Sequence, residues 1–212
     1  VLAVTLLISA RSYGYTRQEL QSVASDYTGQ LIAQVNAQLD MYVGYIEDLS
    51  AFVINNASVS AFLRGEGAAL PAEVILRHAA ETRSEVYALA LARTDGQILF
   101  NNTAYQVNPY ARWQESDWYR AAAAEPGKVY ISSSRVENLV DGRYVWVISF
   151  ARAVTGGDGT VLGVLLADLR YDVIDQILAG VDLGSRGYLF LLDRQGEILW
   201  HPQQQLINAG LK

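Results

Sequence analysis

Apolar residues recur every three or four positions from about Thr16 to Asn56. The stripe consists of Leu20, Val23, Tyr27, Leu31, Val35, Leu39, Val43, Ile46, Leu49 and Val53. This spacing predicts one continuous α-helix with an apolar face. At about 1.5 Å per residue, the helix would extend roughly 60 Å. Because steps of four recur, the pattern departs from the strict heptad of a long coiled coil.

The first ten residues are almost wholly apolar, and Arg11 follows them. A bilayer span takes roughly 20 such residues, so this stretch is too short to span one alone. It is compatible with the end of a membrane helix, the core of a signal peptide or a buried strand. Because the helical pattern continues without a break, we favour the first. We expect residues 1–12 to end a transmembrane helix that runs into a long helix over 13–56.

Two later segments, 87–100 and 187–200, carry the same pattern of an apolar strand, a glycine turn and a second apolar strand. Five residues recur at their own number plus one hundred, namely Leu89, Leu91, Gly96, Ile98 and Leu99. A glycine at the turn supplies the positive φ that other residues resist. The repeat predicts two β-hairpins in two related lobes.

Between the hairpins, turn residues and periodicity predict a mixture of helices and strands. The predicted helices are 58–64, 71–84, 117–124 and, before the second hairpin, 171–178. The predicted strands are 128–135, 143–154 and 160–169. Two strands, helices and then three strands is the order of a PAS-like antiparallel sheet. The predicted fold class is therefore α+β.

The composition of the chain argues against several classes of function. The chain has 212 residues, no cysteine and a formal net charge of −6. The absence of cysteine excludes disulfides and zinc-thiolate sites, and the negative charge argues against binding nucleic acid. The two histidines, His78 and His201, lack metal-ligand spacing, and no nucleophile elbow or phosphate loop is present. We expect no catalysis in this segment, no metal and no cofactor.

Several motifs, in this order, resemble double Cache (dCache) sensor domains of bacterial transmembrane receptors. They are the long helix, the first hairpin, Asp117-Trp118-Tyr119, the strand 163–169 and the segment 187–202. The region from Trp113 to Tyr119 is also similar to YesM-type sensor histidine kinases. The resemblance implies a long N-terminal helix bracing two PAS-like lobes. The membrane-distal, ligand-binding lobe would be 57–169, and 170–212 would begin an incomplete membrane-proximal lobe.

The resemblance also implies a ligand site in the distal lobe. Trp118 and Tyr119 match a Trp-Tyr pair at the family's pocket, and Asp168 matches an acid that holds the ammonium group of amino-acid ligands. Two positions depart from that pattern. Ser116 stands where those members carry a carboxylate-binding arginine, and Ala111 stands where they carry a tyrosine.

Other residues carry alternative interpretations. Tyr130, Ser132 and Ser134 alternate, so they would share one strand face that lines a pocket or faces solvent. Trp113, Trp118 and Tyr119 could be core aromatics or a stacking surface for a sugar or an amine. Asp168 could cap the helix that starts near Arg170 rather than bind a ligand. Arg112 or Arg135 could replace the missing carboxylate clamp.

These observations predict an extracytoplasmic small-molecule sensing domain of a membrane-bound sensor histidine kinase. The alternative is the ligand-binding domain of a methyl-accepting chemotaxis receptor or a diguanylate cyclase. The ligand would be an amine, a small sugar or an amino acid, and without the arginine clamp we expect a ligand lacking an α-carboxylate to be preferred. We expect attachment to the cell membrane through the N-terminal helix and a homodimer in the intact receptor.

Overall fold

The computed structural model describes residues 2–181, 183, 187–192, 196 and 198–203, with the side chains of 2–10 and Ala179 left out. Helix α1 (Leu2–Ile54) is continuous over 53 residues, which confirms the predicted long helix. In the part of the chain that the structure describes, no helix is both long and apolar enough to cross a membrane.

The C-terminal part of α1 packs against the rest of the described chain. Val35, Ile46, Leu49 and Val53 are buried in the main hydrophobic core. Further towards the N-terminus, apolar residues of the same stripe are exposed, including Leu20, Val23 and Tyr27. Two short helices follow, α2 (Ala57–Leu63) and α3 (Ala69–Glu81), and both contribute residues to that core.

The described part of the distal lobe is built on a six-stranded antiparallel sheet. Its strands are β1 (Val86–Arg93), β2 (Ile98–Phe100), β3 (Val129–Ile131), β4 (Arg135–Val136), β5 (Trp146–Thr155) and β6 (Val161–Arg170). The order is β2-β1-β6-β5-β3, and β4 also pairs with β5. The predicted hairpin and the strands near 143–154 and 160–169 are confirmed.

The single strand predicted over 128–135 is wrong, because the chain divides there into β3 and β4. Tyr130 pairs with Ala151 in β5, whereas Arg135 pairs with Val147. The register therefore moves by one residue between the two short strands. A shift of one residue exchanges the faces on which odd and even side chains lie.

The two faces of the sheet carry side chains of different size. The face towards α1, α2 and α3 carries large residues: Leu89, Leu91, Ile148, Phe150, Leu165 and Leu169. On the opposite face, Ala90, Ala92 and Ala151 pack in one cluster with Trp113 and Trp118. The small residues leave room for the layer that covers this face.

That covering layer consists of a 3₁₀ turn (Trp113–Glu115), α4 (Asp117–Ala124) and two irregular segments, 101–112 and 137–145. The irregular segments are joined by an antiparallel bridge between Val107 and Val140. The buried Asn108 links them further, because its backbone N–H donates to the carbonyl of Leu139 at 2.8 Å and its side chain donates to the carbonyl of Asn138 at 3.0 Å.

After the sheet, α5 (Tyr171–Ala179) leads to a two-stranded antiparallel sheet of β7 (Leu191–Leu192) and β8 (Ile198–Trp200). Gly96 and Gly196 both have positive φ, +99° and +86°, as the predicted glycine turns require. The repeated hairpin is therefore confirmed. Most of the predicted proximal lobe beyond 203 lies outside the described residues.

Candidate functional site

A charged residue on the α4-facing side of the sheet, Asp168, is almost completely buried, with 1% of its surface exposed. Nη2 of Arg135 donates to Oδ1 and Oδ2 of Asp168 at 3.0 and 3.1 Å. Nε of Arg135 donates to Oγ of Ser149 at 2.7 Å, and that hydroxyl donates to Oδ1 of Asp168 at 2.5 Å. Burial raises the pKa of Asp168, while Arg135 and Ser149 act in the opposite direction. The three side chains form a closed polar network.

Ser132 supports this network from the edge of the sheet. Its hydroxyl accepts the backbone N–H of Ser149 at 3.0 Å and donates to the carbonyl of Ser133 at 2.7 Å. A hydroxyl that takes the place of backbone partners competes with regular strand pairing. This local bonding accompanies the break between β3 and β4 and holds Ser149 in position beneath Arg135.

A second buried acid, Glu137, lies just after β4 and is completely shielded from solvent. Its Oε1 accepts the backbone N–H groups of Leu139 and Val140, so the carboxylate holds the turn that follows it. Its Oε2 is buried and has no hydrogen-bond partner among the described residues. Burial, followed by the nearby Asp168 carboxylate, raises the pKa of Glu137 to about 7.

Two more hydroxyls on this side of the sheet are buried, and that of Ser134 has no hydrogen-bond partner among the described residues. The Tyr87 hydroxyl lies near the Arg143 guanidinium, which is its nearest candidate donor. Tyr87 is the extra residue of a β-bulge, since Val86 pairs with Leu169 and Ala88 pairs with Asp168. Bulges redirect side chains, and the Tyr87 ring stacks on Tyr105 of the covering layer at 6.3 Å. Burial raises the pKa of Tyr87, while the Arg143 guanidinium acts in the opposite direction.

The candidate site is thus a buried polar cluster of two acids, one arginine and several hydroxyls. We call the set Tyr87, Ser132, Ser134, Arg135, Glu137, Ser149 and Asp168 the polar cluster. Buried polar atoms in folded proteins almost always have partners. Unsatisfied oxygens in one region therefore mark a place where a ligand's hydrogen-bond donors would be stabilised.

The three aromatic residues predicted for the site lie beside this cluster and pack against one another. The Trp113 and Tyr119 rings are 5.1 Å apart and the Trp118 and Tyr119 rings 5.7 Å apart, both edge to face. Both tryptophans are buried among the alanines of the sheet, and Tyr130 packs against the same cluster. The structure gives the rings a role in core packing, and their contact with a ligand stays a prediction.

The structure places the two arginines that could replace the carboxylate-binding arginine in different surroundings. Arg112 lies on the surface, with its side chain 82% exposed and its nearest acid, Glu115, 3.8 Å away. Arg135 is inside the polar cluster, but it is bonded to Asp168 and Ser149. The interpretation of Asp168 as a helix cap is wrong, because Arg170 is the N-cap residue of α5 and the Asp168 carboxylate bonds to Arg135 and Ser149.

Sequence reasoning brought together Ser132, Ser134 and Asp168, which the structure also places together. It missed Glu137, Tyr87 and the pairing of Arg135 with Asp168. Arg135 and Glu137 have odd numbers, whereas Tyr130, Ser132 and Ser134 have even numbers, so a regular strand would place the two sets on opposite faces. The one-residue shift between β3 and β4 brings both sets to the same side. Three consecutive serines, 132–134, were the available signal of that irregularity.

Two open hollows, of about 290 and 420 Å³, lie between α1, the connection from α3 to β1 and the start of α5. None of the polar-cluster residues lines either hollow. The polar cluster itself is enclosed by the covering layer. Among the residues that the structure describes, no group of three or more acids or histidines could hold a metal ion.

Comparison with known proteins identifies related sequences. Residues 16–212 match the family model dCache_1, a Cache domain. The methyl-accepting chemotaxis protein PscA of Pseudomonas syringae pv. tomato is 27% identical over 138 residues, which are 61% of this chain and 20% of PscA. Four further curated relatives, 26–40% identical over shorter stretches, are also methyl-accepting chemotaxis proteins. The chain thus spans about a fifth of the length of PscA.

Solved structures show the same fold. The ligand-binding domain of the Campylobacter jejuni chemoreceptor Tlp3, in complex with 4-methylisoleucine, aligns with a TM-score of 0.66 at 17% identity. The alignment covers 91% of this chain and 74% of that one. The ligand-binding domain of the Pseudomonas fluorescens chemoreceptor CtaA, in complex with L-isoleucine, aligns with a TM-score of 0.66 at 20% identity, covering 90% and 74%. At 17–20% sequence identity, these alignments show a shared fold.

Proposed function

The chain belongs to the Cache domain family, and from this premise we propose that it is the ligand-binding domain of a methyl-accepting chemotaxis receptor. The curated relatives support a role in chemotaxis, because the five described above are methyl-accepting chemotaxis proteins. They favour the chemoreceptor alternative over the sensor histidine kinase suggested first by the sequence. The narrower similarity to YesM-type kinases finds no support among them.

The ligand of this domain is a small molecule of the amine and amino-acid class. The observation that carries this proposal is the polar cluster, where the buried Glu137 and Ser134 each hold an oxygen that has no hydrogen-bond partner in the described part of the chain. Tlp3 and CtaA were solved with 4-methylisoleucine and L-isoleucine bound, which supports the same class. Because Arg112 is on the surface and Arg135 is paired, ligands without an α-carboxylate remain favoured over amino acids.

The domain works by binding rather than by catalysis. It lies outside the cytoplasm, is attached to the membrane through the chain that includes α1, and forms a homodimer in the intact receptor. The exposed apolar stripe on α1 supports such an assembly, because large apolar residues at Leu20, Val23 and Tyr27 are left without cover. A ligand that binds one conformation of the domain more tightly than another would shift the receptor between signalling states.

Isothermal titration calorimetry on the purified chain tests the ligand class. The ligands are L-isoleucine, L-valine, L-leucine and L-arginine, the four amines that lack only the α-carboxylate, and small sugars. We expect at least one amine or amino acid to bind with micromolar affinity, and the amine of a pair to bind more tightly. Binding confined to sugars would exclude this ligand class. A capillary chemotaxis assay with the full-length receptor tests the output, and a ligand that binds without altering chemotaxis would contradict it.

A further inference from the structure

The two open hollows described above form one groove that is separate from the polar cluster. Both hollows are lined by Gln38, Tyr42 and Glu85, so they meet at these residues. We call this space the junction groove, and its lining comes from α1 (38–46), the connection between α3 and β1 (83–86) and the segment 169–177. The hollows measure about 290 and 420 Å³. Small-molecule sites commonly have volumes of about 300–1,000 Å³, so the groove has the size of a binding site.

The first hollow combines an apolar floor with a guanidinium group. Ile46, Val86 and Leu169 are core residues that contribute to its lining, and Arg83 lines the same hollow. The Arg83 guanidinium lies 4.0 Å from the centre of the Tyr45 ring, in a cation–π contact. No acid in the described part of the chain forms an ion pair with it. Its N–H donors are therefore available to an anion.

The contacts of Tyr45 help to position this guanidinium. The Tyr45 hydroxyl and Oγ1 of Thr82 share a hydrogen bond of 3.0 Å, and Thr82 immediately precedes Arg83. Oγ1 of Thr82 also donates to the carbonyl of Ala79, in the last turn of α3, at 2.7 Å. The ring and the connection after α3 are thus joined, and the guanidinium is held over the ring before a ligand binds.

Glu85 supplies the opposite charge where the two hollows meet. Its carboxylate accepts a hydrogen bond from the Ser84 hydroxyl at 3.5 Å, and it pairs with no cation among the residues that the structure describes. Arg170 and Asp172, which line the second hollow, pair with each other. Arg83 and Glu85 therefore leave one positive and one negative charge in the first hollow without a direct ion pair between them.

We propose that the junction groove is a second ligand site, which binds a small zwitterion with an apolar body. The carboxylate of the ligand accepts N–H groups of Arg83, its ammonium group donates to Glu85, and its body lies on the apolar floor. A ligand with only one of these charges would displace water from both side chains and leave one of them without a partner. The proposal does not depend on which ligand the polar cluster binds.

The single methionine of the chain, Met41, lines the first hollow and provides a local readout of binding. In the purified chain with ¹³C-methyl-labelled methionine, the NMR signal of this methyl group, assigned with Met41→Leu, reports on the junction groove. The probes are L-leucine, 3-methylbutylamine, which lacks the carboxylate, and 4-methylpentanoate, which lacks the ammonium group. We expect L-leucine to shift the signal saturably and the two singly charged probes to bind at least about 5-fold more weakly.

Two variants test the two charges separately. Arg83→Gln and Glu85→Gln each remove one charge from the groove, and each should weaken L-leucine binding, measured by the Met41 signal, about 5- to 15-fold. Arg77→Gln changes an exposed arginine of α3 that does not line the groove. This variant is the matched control and should leave the affinity unchanged.

Several outcomes would overturn the proposal. One is a Met41 signal that no probe shifts saturably at concentrations up to about 10 mM. Another is equal affinity for L-leucine and one of the singly charged probes, or unchanged L-leucine binding by Arg83→Gln and Glu85→Gln. A shift that survives both of these variants but is lost in Asp168→Asn would be an indirect effect of binding at the polar cluster. None of these results bears on the chemoreceptor function, which the calorimetry and the capillary assay test separately.

Discussion

The face of the sheet that packs against α1, α2 and α3 and the face that packs against α4 are built from alternate residues of the same strands. In β6, Leu165 and Leu169 belong to the first face, whereas Leu166 and Asp168 belong to the second. The first face is apolar and closely packed. The second combines alanines and aromatic rings with a buried polar cluster.

The two faces therefore contribute differently, one mainly to stability and the other to ligand binding. Burial of large aliphatic side chains contributes roughly 1.5–3 kcal/mol for each residue. Burial of charges costs free energy unless each charge is paired and hydrogen-bonded. On the second face the pairing is incomplete, since Glu137 and Ser134 have oxygens without hydrogen-bond partners among the residues that the structure describes. The face that packs against α1, α2 and α3, called the helix-covered face below, therefore stabilises the fold. The face that packs against α4, called the polar face below, keeps hydrogen-bonding capacity for a ligand.

The largest effect is expected on the helix-covered face. Leu165 is 1% exposed and lies in the core opposite Leu91 of the neighbouring strand. Leu165→Ala should reduce the free energy of unfolding by about 2–5 kcal/mol, because it removes buried methyl groups and leaves a cavity. Urea unfolding measures the change. Leu70→Ala, at an exposed position of α3, is the control and should change stability by less than about 0.5 kcal/mol. Similar values for both variants would contradict the comparison.

On the polar face, the next largest effect is expected from Arg135→Gln. This change leaves the Asp168 carboxylate buried without its cation, and breaking a buried pair in this way costs about 3 kcal/mol. The matched control is Arg170→Gln, which breaks a pair with Asp172 in which both side chains are about half exposed. An exposed pair contributes no more than about 1 kcal/mol. The double variant Arg135→Gln with Asp168→Asn should recover much of the loss, and failure to recover would show that Arg135 acts mainly through packing.

The helix-covered face could be predicted well from the sequence, because its signals are local. Periodicity located α1, and glycine turns located both hairpins, including Gly96 and Gly196 with their positive φ. Each of these signals depends on residues a few positions apart. Even the limits of β6 differ from the predicted strand by only one residue at each end.

The polar cluster could be predicted only in part, because its members meet through long-range pairing. Asp168 and Ser149 meet across β5 and β6, and Arg135 reaches them from β4. The one-residue register change before Arg135 depends on hydrogen bonds of Ser132 to backbone groups. Periodicity cannot show such a shift, and no sequence pattern marked Glu137, which follows the predicted strand 128–135, as a buried residue. Its complete burial became visible only in the structure.

Stability should also depend on pH through Glu137. Its pKa rises from 4.5 to about 7 on folding, so between these values the folded state binds more protons than the unfolded state. Stability therefore falls as pH rises through this window, by up to about 3 kcal/mol. Glu137→Gln should flatten the dependence, and any remaining slope would include Asp168, whose pKa burial also raises. Calorimetric melting from about pH 5 to pH 8 measures both proteins. An unchanged slope in the variant would show that Glu137 is ionised in the folded protein throughout this range.

The smallest expected effects come from two serines that differ in how well their hydroxyls are satisfied. Ser149 donates to Asp168 and accepts from Arg135, so Ser149→Ala leaves two charged groups each short of a hydrogen bond and should cost about 1–3 kcal/mol. The Ser134 hydroxyl is buried and has no hydrogen-bond partner within the described residues, so Ser134→Ala should change stability by less than about 0.5 kcal/mol or stabilise slightly. Chemical unfolding compares the two variants under identical conditions. If Ser134→Ala is as destabilising as Ser149→Ala, its hydroxyl has a structural partner in solution. If it is neutral for folding yet weakens amine binding, this hydroxyl serves the ligand rather than the fold.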